Sequence, residues 1–152
     1  MRFWINRRTD YAVRVVLGLA KYPAGTRLSA QQLSEEMLIP LSLLYSLLKE
    51  LSRAKLIRTY PGPKGGLELA RPAEEITLRD VVEAMDRLPQ VSECVDEPGV
   101  CPFSAACPVR RRWARLHRLV LRELERTTFA ELAAEARSLN TSIPSDEHEE
   151  VA

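Results

Sequence analysis

Cys94, Cys101 and Cys107 lie in one short segment, Cys94-Val-Asp-Glu-Pro-Gly-Val-Cys101-Pro-Phe-Ser-Ala-Ala-Cys107-Pro, and the rest of the 152 residues contains no cysteine. Cysteines used as small hydrophobes are scattered over apolar faces. These three are instead flanked by Pro98, Gly99, Pro102 and Pro108, which break helices and let the side chains of a loop converge. An odd count leaves one thiol over in any disulfide scheme, and no apolar signal-peptide core is present, so metal or redox chemistry in a reducing cytoplasm is expected. The six- and five-residue spacers match neither the Cys-x2-Cys knuckle of structural zinc nor the Cys-x2-Cys-x2-Cys run of bacterial ferredoxins. A fourth ligand must therefore come from elsewhere. Soft thiolates in a loop long enough to wrap a body larger than one ion favour an iron–sulfur cluster, with zinc or a disulfide plus a free thiol as the alternatives.

The elements that must carry this segment lie on both sides of it. Thr9 is positioned to cap a helix over roughly residues 10–22, with Tyr11, Val15, Val16 and Leu19 inward. Ser29 and Gln32 make a capping box for a short helix through Met37, Leu38-Ile39-Pro40 breaks it, and a third helix follows from Leu41 to Ala54 with Leu44, Leu47, Leu48 and Leu51 inward. Two short helices three residues apart have the shape of a helix-turn-helix. Residues 56–60 and 67–71 read as strands joined by Pro61-Gly62-Pro63-Lys64-Gly65-Gly66, a hairpin with a basic tip, which makes the unit a winged helix. Thr77 and Asp80 open a helix to about Arg87.

Beyond the cysteines a long helix is expected from Pro108 to Arg126, with Trp113, Leu116, Leu119, Val120 and Leu124 as an apolar stripe among seven arginines. That stripe fits a second copy of the same helix, or the chain's own first helix. Thr128 and Glu131 cap a last helix to about Ser138, and the polar, acidic stretch from Asn140 to Ala152 is expected to be disordered. The predicted fold is mainly α with one small β-hairpin, divided into a winged helix-turn-helix unit (1–88), a cysteine loop (89–108), a dimerisation helix with the C-terminal helix (109–138) and an acidic tail (139–152).

Net charge is only +1, but residues 1–24 and residues 49–72 each carry +4, an electrostatic footprint for a phosphate backbone if both fold onto one face. The first residues of a recognition helix reach base edges, so Ser42, Tyr45, Ser46 and Lys49 are the candidate DNA-reading side chains, with Lys64 and Gly65 serving the wing. Tyr45 as a packing contact and Lys49 as a solvated charge remain the simpler alternatives. No stretch is long and apolar enough to span a bilayer, and a soluble cytoplasmic protein is expected. There is no Cys-x2-Cys redox pair, nucleotide-binding glycine loop or Ser/His/Asp arrangement to suggest an enzyme.

The order of these parts resembles the IscR/NsrR family of iron–sulfur transcription regulators, the Rrf-two superfamily, over roughly residues 2–138. The resemblance rests on Arg-Phe-Trp-Ile-Asn-Arg-Arg-Thr-Asp-Tyr-Ala-Val-Arg at residues 2–14, on Ile39-Pro40-Leu41-Ser42-Leu43-Leu44, on Gly62-Pro63-Lys64-Gly65-Gly66-Leu67, and on three cysteines followed by a long helix. It implies a homodimer on a pseudo-palindromic stretch of double-stranded DNA, with Trp113, Leu116, Val120 and Leu124 at the dimer contact and affinity set by the state of the cluster. IscR-like members carry a histidine three residues after the third cysteine, where this chain has Arg110. NsrR-like members, which sense nitric oxide through a 4Fe-4S cluster, take an aspartate from the partner's first helix, and Thr9-Asp10-Tyr11-Ala12 matches that segment. The resemblance thus implies a metal-ligand set of Cys94, Cys101, Cys107 and Asp10, with 4Fe-4S preferred over 2Fe-2S. Asp10 also suits a purely helical role, since an acid in the first turn is favoured by the helix dipole. His117 is expected at a surface or between helices, and His148 in the tail.

Overall fold

The computed structural model describes residues 5–142, and it is mostly helical with one antiparallel hairpin. Helix α1 (Arg7–Ala20) is the spine: α2 (Ala30–Met37), α3 (Leu41–Arg53), α4 (Leu78–Met85) and α7 (Phe129–Ser142) all pack against it. It begins three residues earlier than the sequence predicts. Asn6, a stronger cap than threonine, accepts from the Thr9 backbone N–H at 2.9 Å, and Thr9 itself is 1% exposed in the following turn. The apolar stripe through Ala12, Val16 and Leu19 runs back to Thr9, so burial places that residue inside the helix. At Gly18 any Cβ would lie 2.6 Å from Leu33 Cδ1, which sets how closely α2 approaches.

The capping box at Ser29 and Gln32 forms as expected, and α2 ends with Leu38 in the left-handed region. Ile39 then donates back to the Ser34 carbonyl, Pro40 resets the chain, and α3 begins with Leu44, Leu47, Leu48 and Leu51 buried. Lys55, also left-handed, closes α3 through a bond from the Leu56 N–H to the Leu51 carbonyl and turns the chain into β1 (Ile57–Tyr60). Strand β1 pairs with β2 (Gly66–Leu69), Ile57 opposite Leu69 and Tyr60 opposite Gly66. Leu28 exchanges both backbone bonds with Leu67, so the wing is rooted to the segment before α2. Strand β1 starts one residue later than expected, and β2 starts one residue earlier and stops two residues sooner.

Thr77 and Asp80 cap α4, which stops at Met85 rather than Arg87; Asp86 leaves the helix and accepts from the Asn6 side chain at 3.2 Å. The cysteine segment contains a short helix, α5 (Glu93–Asp96), where a loop was expected. Helix α6 (Pro108–Arg126) has the predicted bounds and contains no buried residue. Helix α7 returns to the winged half, with Phe129 and Ala133 buried, and Thr128 and Glu131 exchange the expected capping bonds. It continues past Ser138 to Ser142, four residues further than the sequence suggests; the remainder of the expected acidic tail lies outside the described residues. Among the described residues no helix is long and apolar enough to cross a membrane.

Candidate nucleic-acid interface and cysteine segment

The helical period divides α3 cleanly. Its four leucines enter the core, and Ser42, Tyr45, Ser46 and Lys49 stand on the opposite, exposed face, with Tyr45 at 59% exposure. Tyr45 and Lys49 line one side of a groove of about 760 Å³ whose other side is the wing, Thr59 to Gly62 with Gly65. Lys64 is exposed at the wing tip, and Ser42 and Ser46 lie on α3 outside that groove. Gly65 has a local duty: a Cβ there would lie 2.0 Å from the Tyr60 carbonyl oxygen, so the turn can close only on glycine. At Gly66, φ is +140° and a Cβ would meet the Leu28 carbonyl oxygen at 2.8 Å.

Two arginines that the sequence did not single out brace this surface. Arg27 stacks its guanidinium 3.6 Å above the Tyr60 ring, while the Tyr60 hydroxyl donates to Glu68 at 2.6 Å, tying the wing to the start of α2. Arg8, from the first turn of α1, donates to Ser46 Oγ at 2.8 Å and pairs with the Glu50 carboxylate. Positive charge was the only sequence signal for either, and charge does not say where an arginine points.

The three thiols are free and half-buried. Cys94 sits on α5 with the Ser92 hydroxyl 3.3 Å from its sulfur. Cys107 is the N-cap of α6, its sulfur accepting from the Arg110 N–H at 3.4 Å ahead of Pro108. Arg110 also donates through Nε to the Cys94 carbonyl at 2.7 Å, so this one residue joins the first and third cysteine positions. Cys101 lies in a turn closed by the Ser104 N–H. Among the described residues no three thiol, imidazole or carboxylate groups converge as a single-ion site would require. The donor set itself, three soft thiols on a segment free of core packing, fits a polynuclear cluster by its chemistry.

Asp10 is half-exposed and pairs with Arg14 at 3.1 Å on its own helix, apart from the three thiols. His117 is interhelical: it is mostly buried, with Nε2 4.0 Å from Asp96 Oδ1 on α5 and a buried Nδ1 that has no hydrogen-bond partner among the described residues. The predicted apolar stripe of α6 divides. Trp113 and Leu116 are each 41% exposed and Leu119 half-exposed, whereas Val120 and Leu124 are half-buried.

A family model for the Rrf2 iron-dependent transcriptional regulators matches residues 5–135. The chain belongs to the Rrf2 family. It is therefore a transcriptional regulator with a DNA-binding winged-helix fold, not an enzyme. Protein rrf2 of Nitratidesulfovibrio vulgaris is 30% identical over 132 residues, 87% of this chain and 88% of the relative. The fold is similar to that of CymR, the global cysteine regulator of B. subtilis (TM-score 0.73, 20% identity, 89% of this chain and 98% of that one). It is also similar to T. potens IscR (TM-score 0.71, 16% identity, 96% and 94%). At these identities the two structures speak for the Rrf2 fold alone.

Proposed function

We propose that this Rrf2-family chain is a homodimeric, sequence-specific DNA-binding regulator whose hold on its operator depends on an iron–sulfur cluster. Cys94, Cys101 and Cys107 of one subunit and Asp10 of the partner subunit would hold it, as a 4Fe-4S rather than a 2Fe-2S centre. One observation carries the reading: the three half-buried thiols are the only cysteines, and they sit on a segment without core packing between the DNA-binding half and an apolar helix face. When bound, such a cluster supplies a reactive iron that nitric oxide, oxidants or iron shortage can attack.

The chain's own residues make that state matter for DNA. Arg110 links Cys94 to the first turn of α6, and α6 packs on α4, whose last residue is followed by the Asp86 contact to the cap of α1. Loosening the cysteine segment thus bears on the elements that set α6 and α1. Trp113, Leu116, Val120 and Leu124 of two α6 helices would cover each other and space two copies of Ser42, Tyr45, Ser46 and Lys49. Half-sites on DNA lie about 34 Å apart, so a small change in dimer geometry releases both contacts together.

Anaerobic purification followed by absorption spectroscopy and iron and sulfide counts tests the reading. Any single Cys→Ala change should remove or severely deplete the cluster. Asp10→Ala should keep a cluster with an altered spectrum, faster loss in air and a changed response to nitric oxide. A colourless protein with stoichiometric zinc would replace the cluster by a zinc-stabilised module, and a variant at Asp10 indistinguishable from wild type would remove the cross-subunit ligand.

A further inference from the structure

Arg8 reaches from the first turn of α1 across to the exposed face of α3, where one guanidinium serves two groups, Ser46 Oγ at 2.8 Å and the Glu50 carboxylate. Both contacts have chemical consequences for reading DNA. A serine hydroxyl has one proton and two lone pairs, and arginine is only a donor. With Arg8 holding one lone pair, Ser46 keeps its proton and a single lone pair, and the positive guanidinium polarises the hydroxyl towards donation. Glu50 follows one helical turn later on the DNA-facing helix, with about one-third of its side chain exposed. Left alone, that carboxylate would oppose phosphate.

We infer that Arg8 is a specificity-determining positioning residue, which favours Ser46 as a hydrogen-bond donor towards an acceptor-bearing base edge and offsets the charge of Glu50. The base edges favoured are guanine N7 and O6, adenine N7 or thymine O4, ahead of the cytosine amino group. This inference rests on α3 being the base-reading helix, as proposed above.

The test starts from a pool of randomised DNA duplexes selected with the purified wild-type protein. Ser46→Ala then identifies the base pair that Ser46 reads, as the position whose preference relaxes. Arg8→Ala should relax the same position, losing about tenfold of discrimination there, and should also weaken binding overall. Adding Glu50→Gln to Arg8→Ala should restore the overall affinity without restoring the base preference, which also shows that the Arg8→Ala chain folds, and Glu50→Gln alone should tighten binding. The idea is overturned if Arg8→Ala lowers affinity equally on all sequences, flattens the salt slope by about one unit and is not rescued by Glu50→Gln, because Arg8 would then contact phosphate directly. It is equally overturned if Arg8→Ala and Ser46→Ala relax different positions. A wild-type protein that enriches no sequence would overturn this inference together with the base-reading role of α3, whereas the first two outcomes leave that role standing.

Discussion

From α1 to α4 the chain fills its interior with Leu33, Leu44, Leu47, Leu51, Ile57, Ile76 and Val81, all but inaccessible to water, and Phe129 of α7 completes that core. From Gln90 to Arg126 not one residue is buried. The second region is held by the half-buried Val120 and Leu124 of α6 and by polar ties: Arg110 to the Cys94 carbonyl, Gln90 to Asp96, His117 beside Asp96, and Arg79 to Glu125. Apolar burial stabilises the first region without help, while exposed ion pairs of the second kind contribute little each, about 0–1 kcal/mol. The contrast assigns different jobs. Under the proposed function the well-packed half would present the DNA-reading face, and the weakly held half would take its order from what its thiols and apolar helix face bind.

The sharpest way to break the contrast is to remove core volume on one side and apolar surface on the other. Leu47→Ala should cost about 2–5 kcal/mol in denaturant unfolding. Leu116→Ala should cost about 0.5 kcal/mol or less in the isolated subunit, and Leu116→Glu should produce monomers in sedimentation that bind a full site poorly. An intact Leu116→Glu dimer would mean that the α6 face is not the subunit contact.

A smaller effect is expected at the wing. Lys64→Ala should weaken binding on all DNA sequences alike and reduce the slope of log affinity against log salt by about one unit. An unchanged slope takes the wing tip off the list of phosphate contacts.

The smallest effect concerns the end of α1. Partial burial of Glu36 works against its charge, but the hydrogen bonds from Lys21 and Tyr22 and the Lys21 charge outweigh it and hold the carboxyl below its ordinary value. A carboxyl lowered in the folded state contributes stability above its unfolded value, about 4.5, and that contribution disappears as pH falls through the folded value. Glu36→Gln should therefore flatten the stability profile below about pH 4.5 and leave DNA binding at neutral pH unchanged. The same contact pushes the Tyr22 hydroxyl up, first through its hydrogen bond to Glu36 and then through that carboxylate's charge.

Elements announced by local chemistry were legible. The capping boxes at Ser29, Thr77 and Thr128 mark three helix starts, Pro108 marks α6, and the four leucines of α3 identify its inward face, because caps and 3.6-residue periodicity are written within a single turn or two. Boundaries went astray where a competing signal prevailed. Thr9 has the composition of a cap, yet Asn6 takes that place and burial draws Thr9 inward. The stripe of α6 looks single on a helical projection, but contact with the body of the protein half-buries Val120 and Leu124 and leaves Trp113 and Leu116 outside.

The sequence by itself determined the order of the longer helices and the hairpin, the winged-helix class, the clustering of thiols along the chain and the segregation of positive charge, because each is carried by neighbours along the chain. Only the tertiary structure decided what Arg8, Arg27, Arg110 and His117 do. Each acts across a gap of 16 residues or more, or between helices, through a side chain whose direction is fixed by packing: Arg8 onto Ser46 and Glu50, Arg27 onto Tyr60, Arg110 onto the Cys94 carbonyl, and His117 towards Asp96. A long cationic side chain looks the same in sequence whether it braces a neighbour or faces water, and the difference lies in which acceptor the folded backbone brings within reach.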